Sequence, residues 1–295
     1  MMKLTVKNLS KTYPNGVKAL KNVDLEISNG MFGLLGPNGA GKSTLMRTIA
    51  TLQDADEGSV FLDGIDVLTE KDRVREMLGY LPQEFNLDPK VTAEDFLDHI
   101  AILKGLTDNM NRKATVEALL VQTNLWQHRK KKLGTFSGGM KQRFGIAQAL
   151  LGKPSLLIVD EPTAGLDPEE RNRFHNLLSE IGEEHVVILS THIVDDVSDL
   201  CSAMAVIHNG EVLLQTDPSA AVKTLEGKVY EKEIQKSDLD DYRSKHKVLS
   251  TRLFGGKTYI RIYSAQDPDG EFVPVRPDLE DVYFYYTKNG NGAEA

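Results

Sequence analysis

The chain has 295 residues, of which 40% are hydrophobic and 26% charged; this suits a globular protein with a real core, in one large domain and a small one. A net charge of −8 disfavours nucleic acid as the main partner, because binders of phosphate backbones tend to be basic. The single cysteine, Cys201, excludes an internal disulfide, and no run reaches the about eighteen apolar residues that cross a bilayer; without a signal-peptide core, the expected place is the cytoplasm.

Residues 3–9 and 23–27 read as short strands, with YPNG (13–16) as a turn between them. The apolar run MFGLL (31–35) reads as a buried strand, and GSVFLDGIDV (58–67) as two strand pieces about Asp63-Gly64. From about 84 to 135 the pattern turns helical. Phe96, Leu97, Ile100 and Leu103 recur at helical spacing, behind a capping-box pattern of Thr92 and Asp95. Residues 112–126 read as a second helix, with Trp126 in the core of this insert and the basic run 129–132 solvated. SLLIVDE (155–161) and VVILSTH (186–192) are short and rich in Val, Ile and Leu, as central parallel strands are, and 168–181 is the crossover helix between them. That order predicts an α/β fold. Residues 203–215 read as a hairpin turning at Asn209-Gly210, and Cys201 as a small core residue without an activating base. Beyond a junction near 217–227 come a strand (KVYEKEI), a hairpin about Gly255-Gly256, an aromatic-rich helix (PDLEDVYFYYT) and a tail, 289–295, expected to be disordered.

GPNGAGKST, from Gly36 through Pro37, Asn38, Gly39, Ala40, Gly41, Lys42 and Ser43 to Thr44, fits G-x-x-x-x-G-K-[ST] between a predicted strand and a predicted helix. Such a loop wraps its N–H groups around nucleotide phosphates, assisted by the helix N-terminus. Lys42 is expected at the β and γ phosphates, and Ser43 on a Mg²⁺ that bridges them. Asp160 and Glu161 follow an apolar run at the carboxyl end of a parallel strand, where α/β proteins bind ligands. Asp160 is expected to hold the Mg²⁺ and Glu161 to act on water as base or positioner. The bland alternatives are a glycine turn beside an incidental lysine and two solvated strand-end acids. A second phosphate-seeking turn lies far downstream in TFSGGMKQR (135–143), where two adjacent glycines open a helix.

Six motifs in order, GPNGAGKST, YLPQE, FSGGMKQR, LLIVDEP, AGLD and STH, make roughly residues 3–220 resemble the ATP-binding cassette of ABC transporters. The resemblance implies a P-loop NTPase core with an antiparallel β subdomain and a helical insert (about 84–135), followed by a small α+β appendage at 221–295. It also implies that two cassettes, homodimer or paralogues, pair head to tail. Ser137, Gly138 and Gly139 of one would then contact the γ-phosphate of ATP held by the other. Gln83 resembles the glutamine that touches Mg²⁺ and the attacking water, His192 the switch histidine at the γ-phosphate, Asp167 the interface aspartate and Tyr13 the aromatic that stacks on adenine. Phe136 and Met140 depart from the family's usual leucine and glutamine, which puts side-chain contacts at that interface in doubt. The resemblance further implies ATP and Mg²⁺ as cofactors and a separate membrane permease docked on the insert, holding the chain at the inner face of the membrane. PDLEDVYFYYT and SGGMKQR resemble the drug, antibiotic and polysaccharide export group. The rival readings are a soluble ABC ATPase acting in cluster assembly or on nucleic acid, and a P-loop kinase, which would leave the signature turn and His192 unexplained.

Overall fold

A computed structural model describes residues 2–268 and 270–288, so the tail expected to be disordered lies outside the described residues. The chain divides into two compact units, Met1–Ser202 with Ile207–Val212, and Ala203–Val206 with Leu213–Ala295.

In the first unit, β1 (Lys3–Thr12) and β2 (Lys18–Ser28) alternate buried and exposed residues, so that Leu4, Val6, Leu9, Leu20, Val23, Leu25 and Ile27 fill one face. Both strands run longer than the pattern suggested. Register shifts near Asn8 and Asn22, each at φ 49°, bend the ribbon without ending it. After β3 (Gly30–Leu35) and α1 (Lys42–Ile49), β4 (Glu57–Leu62) and β5 (Ile65–Asp66) complete an antiparallel sheet in the order β2-β1-β4-β5. A short α2 (Lys71–Glu76) leads into β6 (Leu78–Leu81), a strand too short to stand out in the sequence.

The insert follows as α3 (Ala93–Leu103) and α4 (Asn109–Gln122). Thr92 caps α3 by accepting from the Asp95 N–H at 3.2 Å, and its hydroxyl donates to the Asp95 carboxylate at 2.6 Å. Asp108 caps α4, and Arg112 crosses to Asp98 of α3 at 2.7 Å. Of the apolar residues at helical spacing in α3, Leu103 is 70% exposed, because the inward stripe runs through Ala93, Leu97 and Ala101. One expectation needs correction. Trp126 is only half-buried, its ring covered by the Arg129 guanidinium 4.0 Å from the centroid, so the first residue of the basic run is a lid on an indole.

The rest of the unit comprises α5 (Gly138–Ala149), β7 (Leu156–Asp160), α6 (Pro168–Gly182), β8 (Val186–Thr191) and α7 (Val194–Leu200). β3, β8, β7 and β6 pair in that order as a parallel sheet, with every residue of β7 and β8 buried. The hairpin β9 (Ala203–His208) and β10 (Glu211–Thr216) turns at Asn209-Gly210, as its pattern requires. Burial and the nearby Asp196 charge push the Cys201 thiol up to about 12, so it packs as an inert core residue.

In the second unit, α8 (Pro218–Lys223), β11 (Val229–Ile234), α9 (Leu239–Lys245), β12 (Lys247–Phe254), β13 (Lys257–Tyr263), β14 (Val273–Pro274) and α10 (Leu279–Lys288) follow one another, with an antiparallel sheet in the order β12-β13-β11-β14. Tyr230, Ile234, Ile260, Ile262 and Phe272 form its core. Arg261 of β13 anchors α10 through Asp278 and Asp281, each at 2.8 Å, and reaches Glu231 at 3.1 Å. Asp281 is wholly buried, and burial pushes its carboxyl up to about 6, with the Asp278 charge adding to the rise. Arg261→Met is expected to cost about 3–5 kcal/mol in urea unfolding at pH 7, by leaving Asp281 without its cation. The loss should shrink at pH 5, where a carboxyl whose folded pKa is raised gains stability by taking a proton.

Candidate functional site

Register brings the sequence motifs to one edge. Leu35 of β3 sits opposite Thr191 of β8, Asp160 of β7 opposite Ser190, and Leu81 of β6 opposite Val159. The phosphate loop, Gln83, Glu161 and His192 therefore all leave the carboxyl edge of the same parallel sheet.

Gly41 opens α1 at φ 110°, and a Cβ there would lie 2.5 Å from the Ala19 carbonyl, so only glycine holds the loop this tightly. Lys42 is 4% exposed. Its ammonium donates to the carbonyls of Gly36 (2.7 Å) and Pro37 (3.2 Å) and lies 3.3 Å from Glu161 Oε1. Glu161 is also buried, and it adopts the left-handed backbone, φ 47°, which a non-glycine residue holds only at a cost. Its Oε2 accepts from Gln83 Nε2 at 3.3 Å and lies 3.1 Å from His192 Nδ1. Three loops thus converge on one carboxylate. Asp160 beside it accepts from Ser190 at 2.6 Å, and the Tyr80 phenol is pushed up by burial and then by the Asp160 charge.

Above the loop lies a cavity of about 670 Å³, lined among others by Tyr13, Lys18, Lys42, Ser43, Gln83 and Glu161, a size that suits a nucleotide. The Tyr13 ring is steered by its hydroxyl, 3.1 Å from Thr44 Oγ1 and donating to Gln53 at 3.2 Å; Gln53 is held in turn by Thr44 and Thr48. Lys42 and the α1 N-terminus make the floor attractive to anions. For Mg²⁺ the available donors are hard oxygens, from Ser43, Gln83 and Asp160. Among the described residues no three His, Cys, Asp or Glu side chains cluster as a metal cage. That donor set fits a cation that is completed by substrate phosphates and water.

The signature turn and Asp167 do not line this cavity; they meet elsewhere, at the N-termini of α5 and α6. Ser137 caps α5 through the Met140 N–H at 3.2 Å, and Gly138 faces open space. Gly139 has a different reason to be glycine. A Cβ there would lie 2.7 Å from Glu170 Cδ, and Glu170 is gripped by Arg143 and Arg173. Asp167 caps α6 by accepting from the Glu170 N–H at 2.8 Å. Phe136 points inward, edge-on to Phe144 at 6.2 Å, so its departure from leucine is absorbed by the core.

Sequence reasoning missed Gln53, Ser190 and the hairpin tip at Asn209-Gly210. Asn209 lines the cavity, and Gly210 bridges Ala40 and Lys21 through its N–H and carbonyl. The turn was legible, but nothing local announced that it abuts the phosphate loop.

The sequence profile of the ABC transporter family matches residues 20–164. The linearmycin resistance ATP-binding protein LnrL of Bacillus subtilis is 38% identical over 213 residues, 71% of this chain and 68% of the relative. The chain belongs to the ATP-binding proteins of ABC transporters. This ABC ATPase is also 33% identical over 262 residues to the daunorubicin/doxorubicin resistance ATP-binding protein DrrA of Streptomyces peucetius, covering 88% of this chain and 77% of that one. Among solved structures it is similar to the dimeric post-hydrolysis state of the cassette MJ0796 bound to ADP and Pi (TM-score 0.66, 29% identity, 72% of this chain and 98% of that one).

For this ABC protein, Gly139→Ala is expected to lower ATPase activity about tenfold by crowding the Glu170 carboxylate between α5 and α6, since overpacking costs about 1–3 kcal/mol. Combining it with Glu170→Ala should recover part of the loss, which a double-mutant cycle on activity and melting temperature would measure.

Proposed function

We propose that the chain is the ATP-hydrolysing subunit of a drug-export transporter, pairing head to tail with a second cassette and driving a separate permease. The observation that carries the reading is the convergence of Lys42, Gln83 and His192 on Glu161 beneath a nucleotide-sized cavity. Lys42 would exchange its loop carbonyls and Glu161 for the β and γ phosphates. Glu161, released from the lysine, would accept the proton of the attacking water. Gln83 and His192 would orient that water and the γ-phosphate, while Tyr13 stacks on adenine. Mg²⁺ held at Ser43, Gln83 and Asp160 would neutralise the phosphate charge.

The exposed Ser137 and Gly138, remote from this cavity, suit a nucleotide held by a second chain, with Asp167 on the same pairing surface. Such a contact resembles an arginine finger supplied in trans, which can be worth about 10³–10⁵ in rate. Residues 1–220 would act as the cassette and 221–295 as an accessory domain. In this reading the permease is a separate chain; among the described residues no helix is long and apolar enough to cross a membrane. A groove of about 290 Å³ between the insert and the core, lined by Leu52, Arg75, Tyr80, Ile100, Lys104 and Gln148, offers it a seat, with Leu52 an exposed apolar side chain in its wall. The chain would then lie on the inner face of the membrane. The two resistance relatives support drug-like cargo and outward transport.

Glu161→Gln tests the core of this reading. The variant is expected to bind ATP, to lose about 10²–10⁴-fold in turnover, and to shift from monomer to dimer in light scattering when ATP is added. A folded, ATP-loaded variant that stays monomeric both alone and with co-purified membrane partner would refute pairing through the signature turn.

A further inference from the structure

Asp196 lies in the first turn of α7 with no exposed surface. Its Oδ2 accepts from the Thr163 hydroxyl at 2.6 Å and from the Thr191 hydroxyl at 3.2 Å. Its Oδ1 accepts from Arg171 Nε at 3.0 Å and lies 2.8 Å from His175 Nε2, both on α6. Thr163 stands two residues after Glu161, and Thr191 immediately before His192. Both threonines are almost wholly buried, and neither lines the nucleotide cavity. Burial alone would raise the Asp196 carboxyl. The hydrogen bonds from His175 and Thr163, with the Arg171 charge, nevertheless hold it below the usual range, so it stays an ionised acceptor for all four groups.

The loops it joins need such a tie. Glu161 sits on a left-handed residue and His192 on an exposed position, each just past the last rung of its strand. Beyond the ladder, the β7 and β8 ends are joined by the Glu161 N–H to the Ser190 carbonyl, 2.9 Å, and by the Ser190–Asp160 side-chain bond. Farther out, the turn after Glu161 and the segment before His192 meet on the Asp196 carboxylate.

We propose that Asp196 is a positioning residue for hydrolysis: through Thr163 and Thr191 it clamps the Glu161 turn to the His192 loop, so that carboxylate and imidazole face the nucleotide in one fixed register. This rests on the roles proposed above for Glu161 and His192. Catalysis is steep in geometry, and a displacement of about 1 Å can cost about 10²-fold. The phosphate loop meets the clamped segment through the backbone, the Gly36 N–H donating to the Thr191 carbonyl at 3.3 Å, a contact that removing a threonine hydroxyl leaves in place, so losing the clamp falls on turnover more than on ATP binding.

The test compares four single variants of the full chain, Thr163→Val, Thr191→Val, Thr163→Ser and Thr191→Ser, in steady-state ATPase assays across ATP concentration with a melting temperature for each. Valine keeps the shape and removes the hydroxyl; serine keeps the hydroxyl and removes a methyl. The expected result is a fall in kcat of about tenfold for each valine variant, with KM for ATP within about twofold of wild type and kcat largely kept in the serine variants. Serine variants that fall as far as valine, or valine variants within about twofold in kcat, would overturn the clamp and leave a packing role. Glu161→Gln and His192→Ala are measured alongside. If those two retain turnover, the reading of the residues being clamped fails, and the clamp with it; if they abolish it while the valine variants do not, only the clamp fails.

Discussion

Parallel pairing in register is the constraint on which the site depends. A parallel ladder aligns strand ends, and every connection must cross over and re-enter at the opposite edge. Because β3, β8, β7 and β6 pair this way, the residues that follow each of them emerge side by side although they are far apart in the chain. The full burial of β7 and β8 makes that register costly to change, since a one-residue slip would swap every side chain between the two packed faces.

The centre of the site is a charge arrangement that would not exist for stability's sake. Lys42 and Glu161 are both buried, and desolvating an ion pair takes back much of what their attraction returns. Loop carbonyls, Gln83 and His192 complete the solvation that water would have supplied. Glu161 additionally holds a left-handed backbone. Strain and partly compensated charge in one place are what a site looks like when its groups are arranged for a ligand.

Two turns that look alike in sequence are alike for different reasons. In the phosphate loop, Gly41 is required by its positive φ and by the Ala19 carbonyl behind it. In the signature turn, Gly138 faces open space, whereas Gly139 is required by the carboxylate of Glu170, which Arg143 and Arg173 immobilise. One glycine therefore leaves backbone N–H groups accessible, and the other lets two helices meet. Asp167 links the two helix ends, because the N–H it caps belongs to Glu170.

Sequence alone determined the local elements and the chemistry attached to them. Apolar runs marked β3, β7 and β8, Thr92 marked the start of α3, Asn209-Gly210 marked a turn, and the phosphate loop announced itself between its strand and helix. Each of those signals is short-range, written in neighbours or in a repeat of two or 3.6 residues. Only the tertiary structure decided which side of an element faced inward and which distant groups met. The helical spacing of Phe96, Leu97, Ile100 and Leu103 did not say which of them face inward: Leu103 is exposed, and Ala93, Leu97 and Ala101 carry the inward stripe of α3. Trp126 lies under Arg129 instead of in a core, because cation–π contact satisfies its face at the surface. Gln53, Ser190, Asn209 and Asp196 bear no local mark of their places, since their partners are supplied by the order of strands in the sheet and by packing between helices, which no stretch of contiguous sequence contains.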